Sequence, residues 1–170
     1  MKLTLRLKKE RARSENPVTE IAPHFSLGQR GEEMALAHLE HAGYCIVAAN
    51  FSAPIGRNTR GVIVNAEIDV VAYDGPTLCF IEVKTRASDE FAEPQVNVDL
   101  RKRRQIARAA RAYRRMFGLM NNPHRFDVVT VVLPSCQEGE PGNRSRIDLL
   151  KNFWTEDALR KRNWHEGYWD

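Results

Sequence analysis

Glu82 and Lys84 stand two residues apart in FIEVKTR, residues 80 to 86, a run that otherwise reads as buried strand. Burying either charge without a partner costs several kcal/mol or more, so a sheet interior that holds both needs a reason. Upstream, NAEIDVV carries Glu67 and Asp69 at the same spacing, and Asp74-Gly75-Pro76 lies between the two segments as a hairpin signal. Counting outward from a Gly75-Pro76 tip sets Asp69 opposite Glu82 and Glu67 opposite Lys84. Side-chain alternation then places all four on one face, at the end of the hairpin away from its turn.

Two carboxylates that close repel each other, and one stays protonated unless a cation neutralises the pair. A hard divalent ion does so: Mg²⁺ takes oxygen ligands, commonly one or two carboxylates with waters and a substrate phosphate. Asp69, Glu82 and the main-chain carbonyl of Val83 are the candidate ligands, for Mg²⁺ or Mn²⁺. Lys84, set among acids, is a poor base. Its expected role is to orient an attacking water and to counter charge on a pentavalent phosphate. The plain alternative is a salt bridge from Glu67 to Lys84 at a frayed hairpin end, and a lone Glu-x-Lys would favour it. Asp69 on the opposed strand is what argues for a site.

Other segments must hold these residues in place. Residues 1–25 are basic, contain Pro17 and Pro23 and lack a sustained helical pattern, so they read as a disordered arm. SLGQRGEEMALAHLEHA, 26–42, is helical with Gly43 as its stop, 44–49 is a strand, and 51–61 is a loop or the tip of a long hairpin. Residues 62–86 supply two strands, and the second is apolar on both faces toward its start, which implies cover on both sides. A long helix over 99–117 buries Ile106, Ala109, Ala110, Tyr113 and Phe117. HRFDVVTVVL, 124–133, is a strand, 135–144 a loop and RIDLLKNF a last short strand. The order predicts an α/β domain over 26–153 with a mixed sheet between helices, followed by a tail, 154–170, that packs on the core as a short helix.

The net charge of +4 hides an asymmetry, because residues 101–115 hold eight Lys or Arg and no acid, and residues 1–13 hold six with a single acid. That concentration points to a polyanionic partner. Arg101, Arg104, Arg108, Arg111 and Arg115 recur at steps of three and four, one helical stripe able to follow a phosphate backbone. The ordinary reading of such a stripe is a solvated face, but the helix offers no acids to pair with it. No apolar run is long enough to cross a bilayer and no signal-peptide block is evident, so the expected location is cytoplasmic, without membrane contact. Cys45, Cys79 and Cys136 read as reduced core thiols.

The hairpin AEIDVVAYDGPTLCFIEVKTR, the upstream GQRGEEMALAHLEHAGYCIVAAN, the basic RKRRQIARAARAY and the later RFDVV together resemble the YraN-like family of bacterial proteins over about residues 26 to 153. The resemblance implies a restriction-endonuclease-like three-layer core of the PD-(D/E)XK nuclease superfamily, similar to Holliday junction resolvases. It implies a Mg²⁺- or Mn²⁺-dependent endonuclease acting on DNA, branched DNA included, and working as a homodimer. By position, Asp69 matches the metal-binding aspartate, Glu82 the second acidic ligand and Lys84 the catalytic lysine. Glu32 matches the first-helix glutamate that helps hold the metal, and Glu67 the supporting glutamate. Ala66 departs from the usual glycine, and the segment from Ser52 to Asn65 is longer than expected. The competing expectation is a DNA-binding or scaffold protein that keeps the fold without turnover. Arg86 reads equally as a phosphate contact or a strand cap. His38 and His41, Gln105, and Trp154, Trp164 and Trp169 read as surface or packing residues.

Overall fold

A strand with apolar residues on both faces needs a layer on each side. The computed structural model of the chain, which describes residues 23–87, 97–133 and 145–159, has that arrangement. The elements are α1 (Pro23–His41), β1 (Cys45–Arg57), β2 (Ile63–Asp74), β3 (Thr77–Ala87), α2 (Leu100–Met116), β4 (His124–Leu133), β5 (Arg146–Trp154) and a short 3₁₀ turn (Asp157–Leu159). The strands form one sheet in the order β1-β2-β3-β4-β5. Only β3 and β4 run parallel, joined by α2 as their crossover.

The two helices cover opposite faces. Ile106, Ala109, Ala110 and Tyr113 of α2 pack with Ile68, Leu78, Phe80, Phe126 and Val128. Ala35 and Leu39 of α1 pack with Val70, Cys79, Ile81, Val129 and Val131 on the other side. This mixed sheet between helices is the α/β architecture that the sequence predicts, and it is consistent with a restriction-endonuclease-like core.

Several local expectations are corrected. β1 continues through Arg57, across residues whose Pro and Gly content suggested a loop. Pro54 is tolerated because β1 is the sheet's edge strand, where a missing N–H leaves no ladder partner unserved. A register shift falls between Pro54 and Gly56, where Gly56 takes a φ of 145°. The β1–β2 hairpin is therefore long, and its tip is fastened by the Asn58 side chain, which accepts from the amides of Arg60 and Val62 at 2.9 and 3.0 Å. Helix α1 begins at Pro23, inside the expected arm. Phe117 leaves the core at the end of α2 and is 54% exposed. Cys45 is exposed instead of buried, whereas Cys79 is buried and its thiol is pushed up to about 12 by that burial. Residues 1–22, the loop 135–144 with Cys136, and Trp164 and Trp169 lie outside the described residues. Trp154 packs as expected, stacked on Phe126 at 5.1 Å between ring centres.

Gly31 explains how α1 seats on the sheet. A Cβ there would lie 2.7 Å from the Cβ and 2.6 Å from the Cγ2 of Thr85, closer than packed carbons allow. The bare glycine lets the helix approach β3 one residue beyond Lys84, which carries Glu32 toward the same end of the sheet.

Candidate metal centre

The β2–β3 ladder runs from Asp74↔Thr77 to Val70↔Ile81, in the register counted from the Gly75-Pro76 tip. The positive φ of Gly75, 57°, followed by the fixed negative φ of proline suits a tight hairpin turn. The next pair would be Asp69 with Glu82, and there the ladder stops. Beyond that point β2 stays paired with β1 (Ile68↔Phe51, Glu67↔Ser52), while β3 stays paired with β4 (Glu82↔Val128, Lys84↔Thr130). The strands part, and Oδ2 of Asp69 takes the place of a main-chain acceptor by receiving the Val83 N–H at 2.7 Å.

Simple alternation, which was to put four charged residues on one face, fails at this fork. Ile68 packs on the α2 side and Val70 on the α1 side, although two residues apart they should agree. Across the ladder from Asp69, Asn50 adopts a left-handed φ of 52°. Register resumes on each side (Ala49↔Val70, Phe51↔Ile68), so each strand uses one residue to change face. Asp69 is that residue on β2.

The charges settle as follows. Glu82 is 2% exposed. Its Oε1 accepts from Lys84 Nζ at 2.8 Å, and its Oε2 lies 3.1 Å from Nζ of Lys102, an ion-pair contact that lacks hydrogen-bond alignment. The expected Glu67–Lys84 pairing is replaced by Glu82–Lys84, and Glu67 is exposed. Burial, then the charge of Glu82 and more weakly that of Glu32, pushes the Asp69 carboxyl up to about 7, against the opposing pull of the Val83 amide and Lys102. Burial works against the Lys102 ammonium, but the charges of Glu82, Asp69 and Glu67 outweigh it and raise its pKa.

Lys102 was missed in the sequence because it stands in a basic run read as one surface. Its spacing carried the signal: Lys102, Ile106, Ala109 and Tyr113 follow one another at four, three and four residues, so the lysine heads the buried stripe of α2. Asp99 starts the helix in position by accepting from the Lys102 amide at 2.7 Å.

Glu32 is close enough to bear on Asp69 electrostatically, and its own contact is with the Asn50 amide at 3.5 Å. Among the described residues no group of three His, Cys, Asp or Glu side chains converges as a metal cluster. The donors that fit an ion are Asp69 and Glu82, with main-chain oxygen at Val83 as a further donor. Oε2 of Glu82 lacks an aligned donor and burial favours the protonated form of Asp69, so an incoming cation would displace the Asp69 proton and compete with Lys102 for the Glu82 oxygen. Hard carboxylate oxygen donors suit Mg²⁺ or Mn²⁺ and do not suit a closed sulfur or nitrogen site.

All five stripe arginines are exposed, as is Arg86 on β3. Arg111 does find an acid, Glu156 at 2.8 Å, supplied from beyond β5 instead of from the helix itself. His41 bonds the Ala37 carbonyl at 2.6 Å. The RFDVV motif serves the opposite end of the sheet. Asp127, fully buried, accepts from Arg125 Nε at 3.0 Å and from the Asn152 amide at 2.8 Å, and Arg125 reaches Asp74 at 2.6 Å. Hydrogen bonds from Lys151 and Arg125 hold Asp74 down to about 2.

Residues 31–131 match the model of a family described as uncharacterised protein family UPF0102. The chain is 41% identical over 117 residues to a UPF0102 protein of Koribacter versatilis, covering 69% of this chain and 76% of the relative. It is 38% identical over 145 residues to one from Porphyromonas gingivalis, covering 84% and 99%, and 40% identical over 131 residues to one from Bacteroides thetaiotaomicron, covering 77% and 93%. A solved structure titled "Crystal structure of SSO0001" is similar at a TM-score of 0.37 and 13% identity, over 81% of this chain and 56% of that one, so the chain spans little more than half its length.

Proposed function

The chain belongs to the UPF0102 family, the YraN-like family of the sequence resemblance, and from that premise we propose that it is a Mg²⁺- or Mn²⁺-dependent endonuclease hydrolysing phosphodiester bonds in DNA, branched DNA included. The observation that carries the reading is the fork between β2 and β3, where two half- to fully buried carboxylates meet with one of them near neutral pKa. Asp69 and Glu82 would hold a divalent ion, which when bound would supply Lewis-acid polarisation of a phosphate and a more acidic water. The chain's own groups do the rest. Lys84, already anchored on Glu82, holds its ammonium beside the phosphorus that water attacks and steadies the negative charge of the pentavalent state. Lys102 offers a second ammonium to the same charge, and Glu32 with Glu67 keeps the surroundings acidic enough to hold the cations. Arg101, Arg104, Arg108, Arg111, Arg115 and Arg86 serve the backbone on either side. Ala66, which departs from the family's glycine, has its methyl buried in the α2-side core, so the substitution is accommodated by packing.

A second reading, a DNA-binding or scaffold protein without turnover, is favoured by the two lysines, which already pair with Glu82. Incubation with linear, flapped and four-way DNA in Mg²⁺ or Mn²⁺ separates the two. Wild type is expected to cut at least one of these, with Asp69→Asn and Lys84→Ala each losing 100-fold or more, about 3 kcal/mol in the barrier. Binding by wild type with no product in any arm supports the second reading.

A further inference from the structure

Between the β1–β2 hairpin and α2 lies a cavity of about 260 Å³. Its floor is Ile55 and Val64 from the hairpin, and its rim is Arg57 from the hairpin with Arg101, Arg104 and Arg108 from the helix. Gln105 lies between the helix arginines. Among the described residues four guanidinium groups and no carboxylate line it, which suits an anionic occupant. An apolar floor below an anion-binding rim is more than a backbone contact requires.

Building on the nuclease reading, we propose that this cavity takes one unpaired nucleotide of a bound strand, its phosphates on the arginines, its sugar and base over Ile55 and Val64, and its base edge within reach of the Gln105 amide. The volume suits a single nucleotide, and a base still carrying its partner cannot enter. The register shift between Pro54 and Gly56 lies at the cavity wall, where such irregularities re-aim side chains. Gly56 leaves its main chain bare: a Cβ there would lie 3.0 Å from Nη2 of Arg108. The planar guanidinium can therefore lie close to the strand, as it does where arginine stacks on unpaired bases. Arg101, which lines the cavity, immediately precedes Lys102, which contacts Glu82. The stripe is thereby divided. Arg101, Arg104 and Arg108 face the cavity, whereas Arg115 is not among its lining residues and lies about 10 Å along the helix from Arg108.

The test is fluorescence anisotropy of the full chain in metal-free buffer with a labelled blunt duplex and the same duplex bearing a single-stranded tail, together with calorimetry using a deoxynucleoside monophosphate. Wild type is expected to bind the tailed DNA about tenfold more tightly. Arg57→Ala and Gln105→Ala are each expected to collapse that ratio toward unity, while Arg115→Ala weakens both DNAs and preserves the ratio. Saturable binding of the monophosphate that Arg57→Ala abolishes supports the same nucleotide chemistry from a free ligand. Equal affinity of wild type for the two DNAs without monophosphate binding overturns the pocket, as does a ratio unchanged in both variants, and either leaves the nuclease reading standing. Failure to bind any DNA takes down both.

Discussion

Asp69 is the residue on which the site turns, and its protonation carries a signed prediction. Its folded pKa of about 7 lies above the ordinary carboxylate value near 4. Between those values the folded chain holds a proton that the unfolded chain has lost, so stability falls as pH rises through the window. Asp69→Asn removes that dependence. In metal-free buffer the melting temperature of wild type should fall relative to Asp69→Asn between pH 5 and pH 8, and saturating Mg²⁺ should close the gap; parallel curves would contradict the assignment. Lys102 leads to a second prediction. Its ammonium sits on the same carboxylate that an ion would use, 3.1 Å from Glu82 Oε2. Lys102→Ala should therefore tighten Mg²⁺ binding severalfold by titration calorimetry while weakening any cleavage, and a loss of ion affinity would show the lysine to be a support instead of a competitor.

At the scale of elements, much of the site was legible and its exceptions have physical causes. The Gly75-Pro76 turn fixes register by counting, which is why Asp69 and Glu82 could be set opposite each other without coordinates. The change of face at Asn50 and Asp69 leaves no mark in an apolar pattern, because only one residue per strand is used. The extension of β1 was masked by Pro54 and Gly56, whose presence at an edge strand is harmless. The purpose of Gly31 was unreadable because its partner, Thr85, is remote in sequence. That contact predicts that Gly31→Ala destabilises the fold by about 1 to 3 kcal/mol in denaturant melts, although alanine favours a helix over glycine by about 1 kcal/mol. Thr85→Ala should recover part of the loss in the double variant. Additive effects would mean that α1 does not depend on this approach.

Across the whole molecule, the two ends of the sheet respond to pH in opposite senses. At the fork, rising pH costs stability. At the Asp74 end, Lys151 and Arg125 hold the carboxyl at about 2, below its ordinary value. That contribution is fully present above about pH 4 and is lost as pH falls toward 2. Asp74→Asn should lower the melting temperature at pH 7, and the difference from wild type should shrink on acidification toward pH 2; a constant difference would place the effect in packing. The sheet thus has a braced end, tied by Arg125 and Asp127, and an open end where strands diverge and positive charge from α2 gathers around buried acids. The most direct measurement is calorimetric titration of the metal-free chain with MnCl₂ near pH 7, alongside an Asp69→Asn, Glu82→Gln double variant. One ion per wild-type chain, taken up with release of about half a proton because Asp69 is about half protonated at that pH, and lost in the double variant, is the expected result. No uptake by wild type, or uptake undiminished in the double variant, would contradict the metal centre.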